Sequence, residues 1–413
     1  MLLEFKLKNF RSIKDEMVFS LVAESSKSKP NNCFERSLAN DESVKLLKTA
    51  AIFGPNASGK SSMLRGMFNL LQFIHKNKSK AGQDITWYDP YLFDVKSKKL
   101  PNEFDMTFIG PDDIKYQYRV SYNVHEVIDE ELNYYPNGRI TNIFKRPIDI
   151  SGDRLIHKGK LGDSFGNKEI TVFHNRLMLS KFGEEEPHEF LSNLYVYFKN
   201  FEVINAINIA GYGSLEQRLN KVILKNPSFK KRLDSLIRAA DTKIKSIDVK
   251  EQQNDSHRAF GVHSTYDGAE LMEEDENLPL QEESHGTYTL FCIGGKILEK
   301  LSSGGVLFVD ELDTSLHPYL TKMIVMMIQS EKLNPKNTQL VFTTHDVTLL
   351  ERELLRKDQI WFTQKNDFGH TDLFSMQDFE GVREDTPFDK WYLAGKFGAL
   401  PNIKSVESFF DFE

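Results

Sequence analysis

The run Gly54-Pro55-Asn56-Ala57-Ser58-Gly59-Lys60-Ser61-Ser62 fits the phosphate-loop pattern G-x-x-x-x-G-K-[ST] without a mismatch. Glycines let a backbone turn tightly around an anion, so that successive N–H groups point inward at the α and β phosphates. In such a loop Lys60 reaches the β and γ phosphates and Ser61 ligates Mg²⁺. The flanks suit that chemistry. A short apolar run (Ala50, Ala51, Ile52, Phe53) precedes the loop, and Met63, Leu64, Met67, Phe68, Leu71 and Ile74 follow it on one helical face. Strand, loop and helix is the order the mechanism needs, because a helix N-terminus offers donors and partial positive charge to phosphate. The expected ligands are a nucleotide and Mg²⁺.

A second stretch supplies carboxylates. Val306-Leu307-Phe308-Val309 runs into Asp310 and Glu311, as a buried parallel strand delivers acids to a sheet edge. Beside a phosphate loop, Asp310 is expected to support the Mg²⁺ and Glu311 to orient or deprotonate the attacking water. Residues 339–343 form another apolar strand, closing on Thr344-His345-Asp346. His345 is either an ordinary strand-end residue or a hydrogen-bonding partner of the γ phosphate.

The rest of the chain frames this site. Residues 3–13 alternate as a half-buried strand, with 17–22 as a hairpin partner, and 25–41 read as a polar surface loop. Lys76, Lys78 and Lys80 read as a solvated helix end. From 85 to about 173 the pattern is strand-like with turn signals, which predicts an antiparallel sheet. Tyr116, Tyr118, Val120 and Tyr122 share one of its faces, as core packing or as a base-stacking surface. Residues 189–240 switch to a helical period, and their later part and the residues just after it are basic (Lys221, Lys225, Lys230, Lys231, Arg232, Arg238, Lys243, Lys245), which suits a solvated face or contact with nucleic acid or an acidic partner. Like charges crowd residues 266–283, which predicts loop. After Glu283-Ser284-His285-Gly286-Thr287 comes an apolar helical stretch in which Gly294 and Gly295 suggest close packing or a break.

A net charge of −7 in 413 residues argues against a surface coated with basic groups for nucleic acid. The two cysteines, Cys33 and Cys292, give neither metal spacing nor a disulfide framework, and suggest a reducing, cytoplasmic setting. No apolar run reaches the length of a membrane span, and the first residues do not resemble a signal peptide, so no membrane partner is expected.

Together GPNASGKSS, ESHGT, VLFVDELDTSLHP and VFTTHD, with the opening LLEFKLKNFRSI, resemble the ABC-type ATPase heads of the RecF, SMC and OLD group. The resemblance implies an α/β fold: a P-loop NTPase of ABC type with an antiparallel β subdomain and a small helical insertion. Its parts would be 1–84 (N-terminal strands, P-loop and first helix), 85–177 (strand-rich), 178–245 (helical insertion) and 246–413 (signature, acid pair, histidine and tail). It implies that Gly54 to Ser62 hold the phosphates, with Lys60, Glu311 and His345 catalytic and Ser61 and Asp310 on the metal. Asp313 would lie at a dimer interface. Ser284 and Gly286 resemble a signature motif that caps ATP bound by the other protomer of a homodimer or higher oligomer. ESHGT matches the transporter signature LSGGQ only loosely, and no glutamine stands out as a Q-loop residue. The 68 residues after His345 are short for the Toprim nuclease domain of OLD proteins. The chain is therefore most similar to stand-alone ATPase subunits of antiphage systems, of the AriA, RloA or PtuA kind, which work with a separately encoded nuclease-like or Toprim-like effector. The alternative is a RecF-like repair ATPase that binds or clamps DNA.

Overall fold

The structure is a computed structural model and describes residues 1–76, 80–146, 155–205, 209–240, 243–251 and 256–401. Lys78 of the lysine run lies outside them. Strands are numbered along the chain: β1 (Leu2–Lys8), β2 (Met17–Ser20), β3 (Cys33–Ser37), β4 (Ser43–Leu47), β5 (Thr49–Phe53), β6 (Asn102–Ile109), β7 (Lys115–Tyr122), β8 (Val127–Tyr134) and β9 (Thr141–Arg146). There follow β10 (Ile156–Leu161), β11 (Glu169–Phe173), β12 (Phe201–Asn205), β13 (Ile244–Glu251), β14 (His257–Asp267) and β15 (Glu270–Pro279). The last four are β16 (Val306–Asp310), β17 (Gln339–Thr343), β18 (Ile360–Lys365) and β19 (Thr371–Ser375). The helices are α1 (Lys60–Lys76), α2 (Met178–Glu184), α3 (Glu189–Tyr197), α4 (Ile209–Lys225), α5 (Pro227–Ala239), α6 (His285–Thr289), α7 (Gly295–Ser303), α8 (Pro318–Gln329) and α9 (Phe388–Leu393).

A six-stranded sheet runs β12-β16-β17-β5-β18-β19, parallel except for β19. Its central strands β5, β16 and β17 are buried at every residue, as a parallel sheet covered on both faces requires. The period of two divides their side chains between two cores. Ala50, Ile52, Val306 and Phe308 face one, while Ala51, Phe53, Leu307 and Val309 face the other. Parallel pairing brings the ends of β5, β16 and β17 to the same edge, where the site forms.

An eight-stranded antiparallel sheet runs β11-β10-β9-β8-β7-β6-β1-β2, so the N-terminal hairpin belongs to the same sheet as residues 102–173. Tyr116, Tyr118, Val120 and Tyr122 are buried in the core, not displayed as a stacking surface. Helix α1 lies between this sheet and the parallel one. The Tyr122 ring meets Phe73 of α1 edge-on at 4.8 Å, and the Cβ of any other residue at Gly66 would stand 2.6 Å from a Leu7 methyl.

Three stretches depart from the sequence expectation, and a fourth site meets it. Residues 33–37, inside the expected 25–41 loop, pair as β3 with β4. Phe201–Asn205, inside the stretch read as a helical insertion, is instead an edge strand of the parallel sheet, too short to betray a period between flanking helices. Residues 270–279, read as loop because of their charge, form β15, the outer strand of a three-stranded antiparallel sheet with β13 and β14. Its carboxylates stand in solvent, where like charges are screened, and Lys245 pairs with Asp275. Gly294 ends a π-helical turn (Leu290–Gly294), and a Cβ there would lie 2.6 Å from Leu236; the local break and the close packing coincide. Among the described residues no helix is long and apolar enough to cross a membrane.

Candidate nucleotide site

The phosphate loop leaves β5 through Gly54 (φ +154°) and enters α1 after Gly59 (φ +105°), with Ala57 also left-handed at φ +60°. These conformations follow from the neighbours as well as from the turn. A Cβ on Gly54 would stand 2.5 Å from Thr363 of β18, and one on Gly59 would stand 2.1 Å from the Thr371 hydroxyl of β19. Both threonines grip the loop. Ser58 and Thr363 hydroxyls lie 2.6 Å apart, and Thr371 Oγ1 donates to the Ser58 carbonyl (2.8 Å). Ser12, in the turn after β1, links this threonine to the helix start: its hydroxyl lies 2.8 Å from both Thr371 Oγ1 and Ser62 Oγ. Lys60 Nζ folds back onto the loop, donating to the carbonyls of Gly54 (2.8 Å) and Pro55 (3.1 Å). Burial pushes its ammonium down to about 8, against the pull of Glu311, Asp310 and Asp313.

Across the sheet edge, Asp310 ends β16, and its Oδ1 accepts from Ser61 Oγ (3.0 Å) and Thr343 Oγ1 (2.7 Å). Hydroxyl and carboxylate oxygens converging on one point form a hard donor set, which fits Mg²⁺, an ion that keeps water ligands and takes few from protein. Glu311 turns sharply out of the strand at φ +53°, an uncommon conformation for a residue with a Cβ. Its N–H donates to Thr343 Oγ1 (2.6 Å), and its Oε2 accepts from Thr314 (3.2 Å). The His345 N–H donates to Asp313 Oδ2 (3.1 Å), which ties the turn after β16 to the end of β17. Burial and the nearby Lys60 lower the His345 imidazole below its ordinary value, which favours the neutral ring. Residues Asn56 to Ser62, Glu311 and His345 line one cavity of about 630 Å³, within the range of small-ligand sites.

A family model described as "AAA domain, putative AbiEii toxin, Type IV TA system" matches residues 50–351. The chain belongs to this family. No curated protein matches it. Among solved structures, an SMC head bound to the C-winged helix domain of ScpA is similar over 91% of this chain and 97% of that chain, at 13% identity and a TM-score of 0.41. The recombination mediator RecF in its RecF-ATPrS form is similar over 91% and 98%, at 10% identity and a TM-score of 0.38. The cbiO1 subunit of an ABC transporter complex from Clostridium perfringens is similar over 92% and 90%, at 10% identity and a TM-score of 0.30. The fold of this AAA domain is that of an ABC-type P-loop ATPase.

Not every residue singled out in the sequence reaches the cavity of the AAA domain. Ser284 and Gly286 lie outside its lining. Ser284 caps α6, accepting from the Thr287 N–H at 3.1 Å, and is exposed. A Cβ on Gly286 would be 2.7 Å from the Ser315 carbonyl, so ESHGT is pressed against the turn that carries Asp313. Conversely, the structure brings in residues the sequence does not single out. Arg11, Asp89, Leu92, Phe93 and Lys365 line the cavity. Asn205, at the end of β12, is in register with Asp310 and shares with Ser61 and Asp310 a second cavity of about 540 Å³. It is the polar strand-end residue beside the acid strand, where no glutamine was found. The available signal was the short apolar run Phe201, Val203, Ile204 closing on an amide, masked by the helices around it.

Proposed function

We propose that this AAA domain binds Mg·ATP, hydrolyses it, and assembles around it to control a separately encoded effector, in defence against phage. The observation that carries the ATPase reading is the 3.0 Å bond from Ser61 to Asp310, which joins the cavity-lining phosphate loop to the strand-end acid. Residues Gly54 to Ser62 would cradle the phosphates, with Lys60 on the β and γ oxygens and Ser61 and Asp310 on Mg²⁺. Glu311, projected into the cavity by its left-handed backbone, would accept a proton from water in line with the γ phosphate. A neutral His345 would hydrogen-bond the γ phosphate. Ser284, Gly286 and Asp313 would act at the face of a second copy, a role supported by the exposure of Ser284 and its place outside the cavity. The effector and defence roles draw support from the antiphage-subunit resemblance, and the defence role also from the words "putative AbiEii toxin, Type IV TA system" in the family's description.

The deciding experiment is the solution mass of Glu311→Gln with and without Mg·ATP. A doubling or larger growth with ATP is expected; ATP binding with an unchanged monomer mass would sink the sandwich. Used as bait, the same variant should hold the effector with ATP and release it with ADP, and a chain that retains no partner in either state contradicts the effector role.

One observation favours a DNA-clamping alternative: Lys221, Lys225, Lys231, Arg232 and Arg238 are all exposed, while Leu219, Ile223, Leu233 and Ile237 are buried beneath them. It requires salt-dependent DNA binding by the purified chain, and no binding at low salt rejects it.

A further inference from the structure

Thr343 is the last residue of β17 and is fully buried, with one hydroxyl as its polar group. The parallel register that sets Val309 beside Phe342 brings it next to Asp310, where the pairing of β16 and β17 stops. A hydroxyl has one proton to give, and Asp310 Oδ1 takes it at 2.7 Å. Its lone pairs are left to accept, and the Glu311 N–H donates to them at 2.6 Å. The Thr343 carbonyl accepts from the next N–H of the turn, that of Leu312, at 3.1 Å. One residue of the neighbouring strand therefore holds a carboxylate and two successive N–H groups of the turn after β16.

These bonds account for a backbone that Glu311 does not adopt by preference. A φ of +53° is costly for a residue with a Cβ and persists only where the surroundings over-determine it. The two bonds to Thr343 do so, together with the Thr314 N–H, which donates to the Glu311 carbonyl at 2.9 Å. The carboxylate of Asp310 is anchored from the same place. Its bond to Ser61 crosses to the phosphate loop, whereas its bond to Thr343 stays within the sheet. The branched Cβ of a threonine restricts χ1, so a central strand sets where this hydroxyl points.

We propose that Thr343 is a positioning residue for hydrolysis: its hydroxyl fixes the Asp310 carboxylate and the Glu311 turn relative to each other, so that metal ligand and base address one reacting centre. The proposal rests on the ATPase reading given above. Thr343 itself touches neither nucleotide nor Mg²⁺. It acts on the base through the Glu311 backbone and on the metal through the Asp310 carboxylate, and the two effects can be measured apart.

The test uses the full chain as wild type, as Thr343→Val, which keeps the branched shape without the hydroxyl, and as Thr343→Ser, which keeps the hydroxyl. Hydrolysis is followed by phosphate release and ATP affinity by equilibrium binding, in EDTA and across a Mg²⁺ titration. Thr343→Val should lower kcat by about 10²-fold, the cost of a catalytic group set about an ångström out of place. It should also raise the Mg²⁺ concentration needed for tight ATP binding by about tenfold or more. ATP affinity in EDTA should not change, and Thr343→Ser should restore most of both losses. In a Glu311→Gln background, Thr343→Val should cost no further hydrolysis, because the group it positions is gone, while its effect on Mg²⁺ should persist.

A wild-type kcat or a wild-type Mg²⁺ requirement in Thr343→Val overturns the proposal. So do losses that add fully to those of Glu311→Gln, and so do equal losses in Thr343→Val and Thr343→Ser, which would make the residue one of packing alone. Weaker ATP binding in EDTA also overturns it, because the phosphate loop itself would then have moved. If Thr343→Val does not fold, Thr343→Ala, which lacks the hydroxyl too, takes its place in each comparison. A wild-type chain that does not hydrolyse ATP defeats the ATPase reading itself, an outcome distinct from these.

Discussion

The phosphate-loop cluster and the ESHGT turn, proposed to be two parts of one shared site, are built differently. The half made by the phosphate loop, Asp310 and Glu311 is closed on itself: Ser61, Thr343 and Asp310 bond to one another, and Ser12, Thr363 and Thr371 brace the loop from three separate strands or turns. In the ESHGT turn Ser284 is exposed and its bond to the Thr287 N–H does no more than start a helix, while Gly286 packs against the Ser315 carbonyl. A group that must hold charge at a fixed point is braced by its own chain. A group left exposed and outside the cavity is available to another molecule. That contrast gives the proposed assembly its physical content.

The strongest challenge to the closed half is Glu311→Gln. Nucleotide affinity should stay within about threefold while hydrolysis falls by about 10² to 10⁴-fold, read by phosphate release and equilibrium binding. An equal loss in both would place Glu311 among the ligands, not the bases. Gly59→Ala attacks the bracing itself: a left-handed backbone and a Cβ driven onto Thr371 should destabilise the chain by about 3 kcal/mol, measured by urea unfolding. Lys60→Ala should weaken ATP on the order of a hundredfold, the worth of a charge-assisted contact with phosphate.

A milder probe is pH. With its free-state value near 8, Lys60 loses its proton above that pH, whereas bound phosphate favours the charged form. Affinity should therefore be flat below pH 8 and fall by up to about tenfold per unit above it, with proton uptake on binding visible in buffers of different ionisation enthalpy. Lys60→Ala should abolish the slope. The smallest expected effect tests the ESHGT turn. Ser284→Ala removes a helix cap worth about 1 kcal/mol, should leave single-copy ATP affinity unchanged, and should weaken ATP-dependent association about fivefold. Unchanged association would reduce ESHGT to a helix start.

Legibility in the sequence followed the range of the interactions. Strands β5, β16 and β17 were readable because a doubly covered parallel strand is one apolar run with a chemical ending. The site residues at those endings were readable because loop chemistry dictates their types. Phe201–Asn205 was hidden, since five residues carry no period of their own, and with it went Asn205. Residues 270–279 were misjudged because charge density signals exposure, and an outer strand can be exposed. Phe93 could not be found from its neighbours in sequence at all. It reaches the cavity because its neighbour Tyr91 is tied to Asn9, far earlier in the chain, and to the turn at Phe368.

The threonine and serine braces also bear on what counts as a module. The family match begins at residue 50 and ends at residue 351, yet Ser12, Thr363 and Thr371 lie outside those limits. A fragment trimmed to them would lose β18 and β19, turn β5 into an edge strand, and strip Ser58 and Ser62 of their partners. The matched stretch is thus smaller than the set of elements that holds its phosphate loop, because the hydroxyls of Ser12, Thr363 and Thr371 come from strands and turns on either side of it.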